Sequence, residues 1–313
     1  MRTRPRFLAA PLSIAALLIS APAWSAGLQG TCTPGATTLC LLSNRIQVEV
    51  DWQDSGGQTG DGQVVPFATS DTGFFWFADP LLIDHYVKVI DGTTFNDHFW
   101  VFFASLTNVE YTLTVTDTVG GGQAVYTNPL GSFTSVADVM AIEVPPTVAL
   151  RSTPPETTRQ AELDKAAGAP DKGAGGSCVP GDTVLCLDEG RFEVEVTWDG
   201  GTSSDSGQAE PLTDNSGYYW FFTPSSVELT VKVQAGDNGS FWVFYGATTN
   251  VEYEIVVTDT CSGAVRTYFN PQGSLTSAGD FTAFPQTLDC LLFPDGFESG
   301  DTSRWTLAVG EPE

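Results

Sequence analysis

Two cysteine-bounded segments of identical spacing constrain the fold more than any other feature. Cys32 and Cys40 enclose CTPGATTLC, and Cys178 and Cys186 enclose CVPGDTVLC, with Pro-Gly at the same place in each. The match continues downstream. RIQVEVDW, GFFWF, FWVFF, NVEYTLTVTDT and YTNPLGSFTS recur in the same order as RFEVEVTW, GYYWFF, FWVFY, NVEYEIVVTDT and YFNPQGSLTS. The offset drifts only from 146 (Cys32 to Cys178) to 142 (Ser135 to Ser277), so small loop deletions separate the copies. A chain that repeats itself over roughly 110 residues folds as two copies of one domain-sized unit. The organisation expected is a leader over 1–26, a first unit over 27–142, a linker over 143–177, a second unit over 178–290 and a tail over 291–313.

The periodicity inside each unit is that of β-strands. Ile46, Val48, Val50 and Trp52 alternate with Gln47, Glu49 and Asp51, and Val109 to Val115 alternate in the same way, as strands with one dry and one wet face do. Phe74 to Phe77 and Phe99 to Phe103 are apolar at every position, as are Tyr218 to Phe222 and Phe241 to Tyr245. Such runs belong to central strands, or to strands whose outer face is covered by a loop or the disulfide hairpin; the alternative is that one aromatic set stands exposed outside the core. Turn residues at Gly56-Gly57, Asp91-Gly92, Gly120 to Gly122 and Asn128-Pro129 fall at sandwich intervals. The fold class expected is all-β, two tandem immunoglobulin-like antiparallel β-sandwiches. Residues 143–177 hold Pro145-Pro146, Pro154-Pro155 and a Gly-Ala-Gly-Gly run without aromatic residues, which reads as a flexible linker. Few contacts should then cross between the units, and each should fold alone.

The N-terminus carries an address. Arg2, Arg4 and Arg6 precede an apolar run from Phe7 to Ile19 and the small-residue site Ala21-Pro22-Ala23, the pattern of a secretory signal peptide. The run is too short to span a bilayer as an anchor. A secreted or periplasmic destination makes the six cysteines disulfides. The Pro-Gly turns fold Cys32 onto Cys40 and Cys178 onto Cys186, which leaves Cys261 for Cys290. Zinc is the rival for these thiols, but only His85 and His98 are present to complete a shell. The net charge of −25 repels phosphate backbones and anionic headgroups, and loss of the three leader arginines makes it more negative still. Nucleic acid is excluded as a partner, as is a membrane span; an extracellular protein or a glycan fits.

The strings CxPGxTxLC, RFxVxVxW, FWVF, NVEYTLTVTDT and YxNPxG together resemble a module of secreted bacterial proteins that also occurs appended to exported enzymes. The segment FPDGFESGDTSRW (Phe293 to Trp305) is similar to a short terminal motif of such proteins. The resemblance implies location and architecture, and it carries no activity.

Chemistry is sparse. A Ser-His-Asp constellation would need His85 or His98, whose counterparts are Leu229 and Ser240; a lone surface or loop histidine is the plain reading of each. The carboxylates Glu49/Glu195, Glu110/Glu252, Asp117/Asp259 and Asp138/Asp280 recur, with the two glutamate pairs expected on solvated strand faces. Lys88 and Lys232 recur among very few cations and read as cross-strand ion pairs with a glutamate, or else as ligand contacts. No organic cofactor is implied; Asp91 to Asp97 and Asp214-Asn215 offer oxygen ligands for weak calcium binding at most. The aromatic residues Trp76, Trp100, Trp220 and Trp242 lie in strands apolar on both faces, and if a ligand binds they form its platform. The function expected is a secreted, non-enzymatic binding or structural protein of adhesion type. A carbohydrate-binding module is the alternative, and a secreted hydrolase comes third.

Overall fold

The computed structural model describes residues 30–144 and 176–286. The first unit contains β1 (Leu39–Leu41), β2 (Ile46–Gln53), β3 (Thr59–Asp61), β4 (Gln63–Ala68), β5 (Thr72–Trp76), β6 (His85–Asp91), one helical turn α1 (Thr93–Asn96), β7 (His98–Ser105), β8 (Glu110–Asp117), β9 (Gln123–Asn128) and β10 (Ser135–Glu143). The second contains β11 (Val184–Leu187), β12 (Phe192–Asp199), β13 (Ser204–Ser206), β14 (Gln208–Pro211), β15 (Ser216–Trp220), β16 (Leu229–Ala235), β17 (Ser240–Ala247), β18 (Glu252–Asp259), β19 (Val265–Asn270) and β20 (Ser277–Pro285). The leader (1–26) and the tail (291–313) lie outside the described residues, as does nearly all of the linker.

Each unit has two antiparallel sheets. One has the order β1-β2-β8-β9 with β3 on β2, and the other runs β10-β7-β6-β5-β4; the second unit repeats both as β11-β12-β18-β19 with β13, and β14-β15-β16-β17-β20. The architecture is a sandwich. Its strand order departs from the ABED and CFG order of an immunoglobulin constant domain, because β4 to β7 follow one another as a meander within a single sheet. The alternating residues of β2 and β8 meet Phe75, Phe77, Val87, Val89, Phe99, Val101 and Phe103 of the opposite sheet in one buried core. Gly73 and Gly217 open the GFFW and GYYW motifs because Leu39 and Leu185 pack directly on them: a Cβ would lie 2.5 Å and 2.6 Å from the leucine side chain.

Motifs distant in sequence close on each other. Arg45, at the start of RIQVEVDW, donates Nε and a terminal nitrogen to the two oxygens of Asp117, both at 2.9 Å, and its guanidinium lies 4.6 Å from the centroid of Phe99. Arg191 and Asp259 repeat this at 3.1 and 3.0 Å, over Phe241. Burial alone would raise the Asp117 carboxyl, but the Arg45 hydrogen bonds and the backbone N–H groups of Val119 and Gly120 outweigh it and hold it below the usual range. Asn128 fills the loop before β10, donating to the carbonyls of Val109 and Ser132 while accepting from Thr134, and Asn270 does the same in its unit.

The two short disulfides form as expected, Cys32–Cys40 and Cys178–Cys186. Cys261 is also disulfide-bonded, and Cys290 lies outside the described residues. Each short loop is expected to stabilise its unit by about 2–3 kcal/mol through the entropy of the unfolded chain. Denaturation of the Cys178→Ser/Cys186→Ser protein checks the size of that loss; an unchanged midpoint for the second unit would contradict it.

Two expectations are corrected here. The linker begins later than residue 143, since β10 runs through Glu143 and Val144 is fully buried in the first core, donating its N–H to the Asp97 carbonyl at 2.8 Å. The units are also in direct contact. The outward residues of the two meander sheets, among them Phe74, Ile83, Tyr86, Ala104 and Leu106 of the first and Tyr218, Val227 and Phe244 of the second, form a third buried core between the sandwiches. The sequence pattern of residues 143–177 says nothing about this surface, because the contact is made by strand faces.

Lys88 and Lys232 lie in this contact. Each is buried and pairs with the other unit, Lys88 Nζ with Glu228 Oε1 at 3.5 Å and Lys232 Nζ with Asp84 Oδ1 at 3.1 Å. This replaces the expected cross-strand pairing within a sheet. Lys88 also donates to the Val227 carbonyl at 2.9 Å and to Ser226 Oγ, and Tyr86 Oη donates to the Gly246 carbonyl at 2.8 Å. Burial pushes the Glu228 carboxyl above its ordinary range, against the opposing pull of the Lys88 ammonium.

Candidate functional site: paired acidic grooves

With the meander sheets turned toward each other, the sheets built on β2 and β12 face outward, and each bears an acidic groove at the matched place. In the first unit Trp52 ends the alternating pattern of β2 and stacks flat on Phe77, with ring centroids 5.8 Å apart and planes at 10°. Tyr111 stands opposite Trp52 in the β2–β8 register. On the opposite, solvated face of the sheet Asp51 lies directly across from Asp61, and Gln53 across from Glu110. These residues, with Thr59, Gly60 and Thr112, line a groove of about 340 Å³. Gly60 packs against the core-facing indole, where a Cβ would lie 2.9 Å from the ring.

The second unit repeats the site with Trp198 stacked on Phe221 at 5.8 Å and 13°, and Tyr253 opposite Trp198. The acids are placed differently: Thr197 and Ser206 stand where Asp51 and Asp61 face each other, Asp205 stands at the position of Gly60, Asp199 lies across from Glu252, and Glu254 and Phe269 complete a groove of about 480 Å³. Carboxylates placed directly opposite repel one another by about 0.2–1 kcal/mol, and among the described residues none of them is in an ion pair. The indole nitrogens of Trp52 and Trp198 are buried without a hydrogen-bond partner in the protein. The arrangement concentrates negative charge on the solvated side of the sheet at two places, while Trp52, Tyr111, Trp198 and Tyr253 face the cores on the opposite side of the strands; a cationic group entering either groove would relieve the repulsion.

Carboxylates with shifted ionisation lie elsewhere. Asp117 and Asp259 are held by their arginines, Glu228 sits between the units, and Asp188 and Glu210 are raised by burial away from both grooves. His85 is fully buried in β6 among Phe75, Phe103 and Tyr111, which corrects the expectation of a surface or loop histidine. Neither of its ring nitrogens has a partner, and burial holds its pKa down at about 3. His98 is half-buried at the start of β7 beside the Asn96 carbonyl. Of the acidic turns, Asp91 accepts from Thr93 and Asp214 accepts from the Glu189 N–H, and no group of three or more His, Cys, Asp or Glu gathers among the described residues.

The tryptophans singled out by sequence do not come together as one open platform. Trp76, Trp220 and Trp242 are half-buried at the margin of the core between the units. Trp100 is half-buried in the first unit, donating to Asn96 Oδ1 at 2.8 Å and lying 5.5 Å from the largely exposed ring of Phe95. The covering surface is the other sandwich, not a loop or a disulfide hairpin. The grooves escaped the sequence analysis, although Asp51-Trp52 and Trp198-Asp199, closing the two matched strands, carried their signal.

Among the described residues no helix is long and apolar enough to cross a membrane. No family model, curated protein or solved structure matches the chain.

Proposed function

We propose that the chain is an exported, non-enzymatic binding or structural protein of adhesion type, which presents two acidic grooves at matched places on outward sheets. The observation that carries this reading is repetition: at the same end of its outward sheet each copy gathers carboxylates, Asp51, Asp61 and Glu110 in the first and Asp199, Asp205, Glu252 and Glu254 in the second, where the contact between units leaves the sheet free. The disulfides, the leader pattern and the resemblance to a secreted bacterial module support export to an oxidising compartment. Immobilised oligolysine is the probe for the grooves. Retention is expected to weaken several-fold in Asp51→Asn/Asp61→Asn, while Glu193→Gln/Glu195→Gln, which removes the same number of charges outside the grooves, has a lesser effect. Equal loss in both proteins would mean that net charge alone attracts the probe and would refute the site.

The carbohydrate-binding reading has one observation in its favour, the exposed Phe95 edge beside Trp100. Glycan-array binding that disappears in Trp100→Ala and survives the aspartate changes would select that reading over the grooves.

A further inference from the structure

We infer that the face joining the two units is self-complementary, and that it also admits a second copy of this chain: two chains exchange units, each first sandwich closing on the other chain's second. The argument begins with the charges. Each unit carries one anion and one cation at matched places, Asp84 with Lys88 and Glu228 with Lys232, and the pairs cross over, Lys88 to Glu228 and Lys232 to Asp84. The anions are fixed alike, Asp84 accepting from the Phe77 N–H at 2.9 Å and Glu228 from the Phe221 N–H at 2.8 Å.

Near the pseudo-two-fold axis, equivalent residues touch each other. Ser135 Oγ meets Ser277 Oγ at 2.7 Å, and the rings of Phe74 and Tyr218 lie 5.8 Å apart. An isologous contact of this kind depends on the two faces and is indifferent to whether one chain or two supply them. The covalent connection allows either. Residues 145–175 join Val144 to Gly176 and can reach on the order of 100 Å when extended. Exchange makes no new contact and loses none, so concentration decides between the forms, closure within one chain having an effective concentration in the millimolar range.

Complementary charge reversals test this in the full chain. Lys88→Glu sets two acids against each other within one chain, and Glu228→Lys sets two lysines against each other. Mixed in equal amounts, the two proteins can restore both pairs only by exchange, so the mixture is expected to double in mass by light scattering. The chain carrying both changes is expected to remain a monomer. Near-UV circular dichroism reports whether each single variant keeps its packed cores. As a second arm, wild-type chains labelled separately with donor and acceptor are unfolded and refolded together at about 1 mM, where energy transfer is expected. A mixture that behaves as the sum of its parents overturns the inference when both variants are folded. If either is not, absence of transfer in the wild-type arm overturns it.

Discussion

Replacing Lys88 with methionine is expected to destabilise the chain by about 3–5 kcal/mol near neutral pH, because it leaves Glu228 buried without its cation. The loss should shrink as the pH falls, since Glu228 is already raised by burial and can become neutral. Adding Glu228→Gln should recover most of the stability, as removing both partners of a buried pair often does. Denaturant titration of the single and double variants gives the comparison. A loss below about 1 kcal/mol, the size of an exposed pair, would mean that the lysine is solvated and the units are apart.

The fold was legible where local pattern decides structure. Alternation in β2 and β8 and the two short disulfides read directly from the chain, because each depends on residues close in sequence or on a period of two, while the turn between the cysteines falls on Ala36-Thr37 and Asp182-Thr183, just past the Pro-Gly pairs. The motif arginines and aspartates were visible as recurring residues, but their pairing was not, since Arg45 and Asp117 meet only when β2 and β8 align. Strands apolar on both faces signalled either a cover over their outer side or an exposed aromatic strip, and the pattern alone did not decide between them. What covered them was hidden, because periodicity reports that a face is dry and not which surface dries it. The same blindness made Lys88 look like a surface residue, and His85 like a loop residue, although its partners Phe103 and Tyr111 come from other strands.

Acidification is expected to remove roughly 5 kcal/mol from the first unit through His85 alone. Its pKa is about 3 in the fold against 6.5 when free, each unit of difference being worth 1.36 kcal/mol. Between those values the unfolded chain holds the extra proton and the folded chain does not. Stability from this site is therefore fully present above about pH 6.5 and lost progressively as the pH falls toward 3. His85→Leu, which installs the residue found at the matched position Leu229, is expected to abolish that component while keeping the aliphatic packing. Unfolding curves of both proteins across the window isolate it, because Asp117 and Asp259 titrate alike in each. Parallel pH dependence in wild type and variant would show that the imidazole is not sealed from water.

The central claim, that two sandwiches close into one body through their meander sheets, is tested most directly by cutting the chain between residues 145 and 175 and measuring the size of what remains. The fragments are expected to co-elute as a single particle of the uncut chain's size, held by the core of Phe74, Tyr86, Tyr218 and Phe244 and by the two crossed ion pairs. Two separate particles, each the size of one unit, would contradict the account.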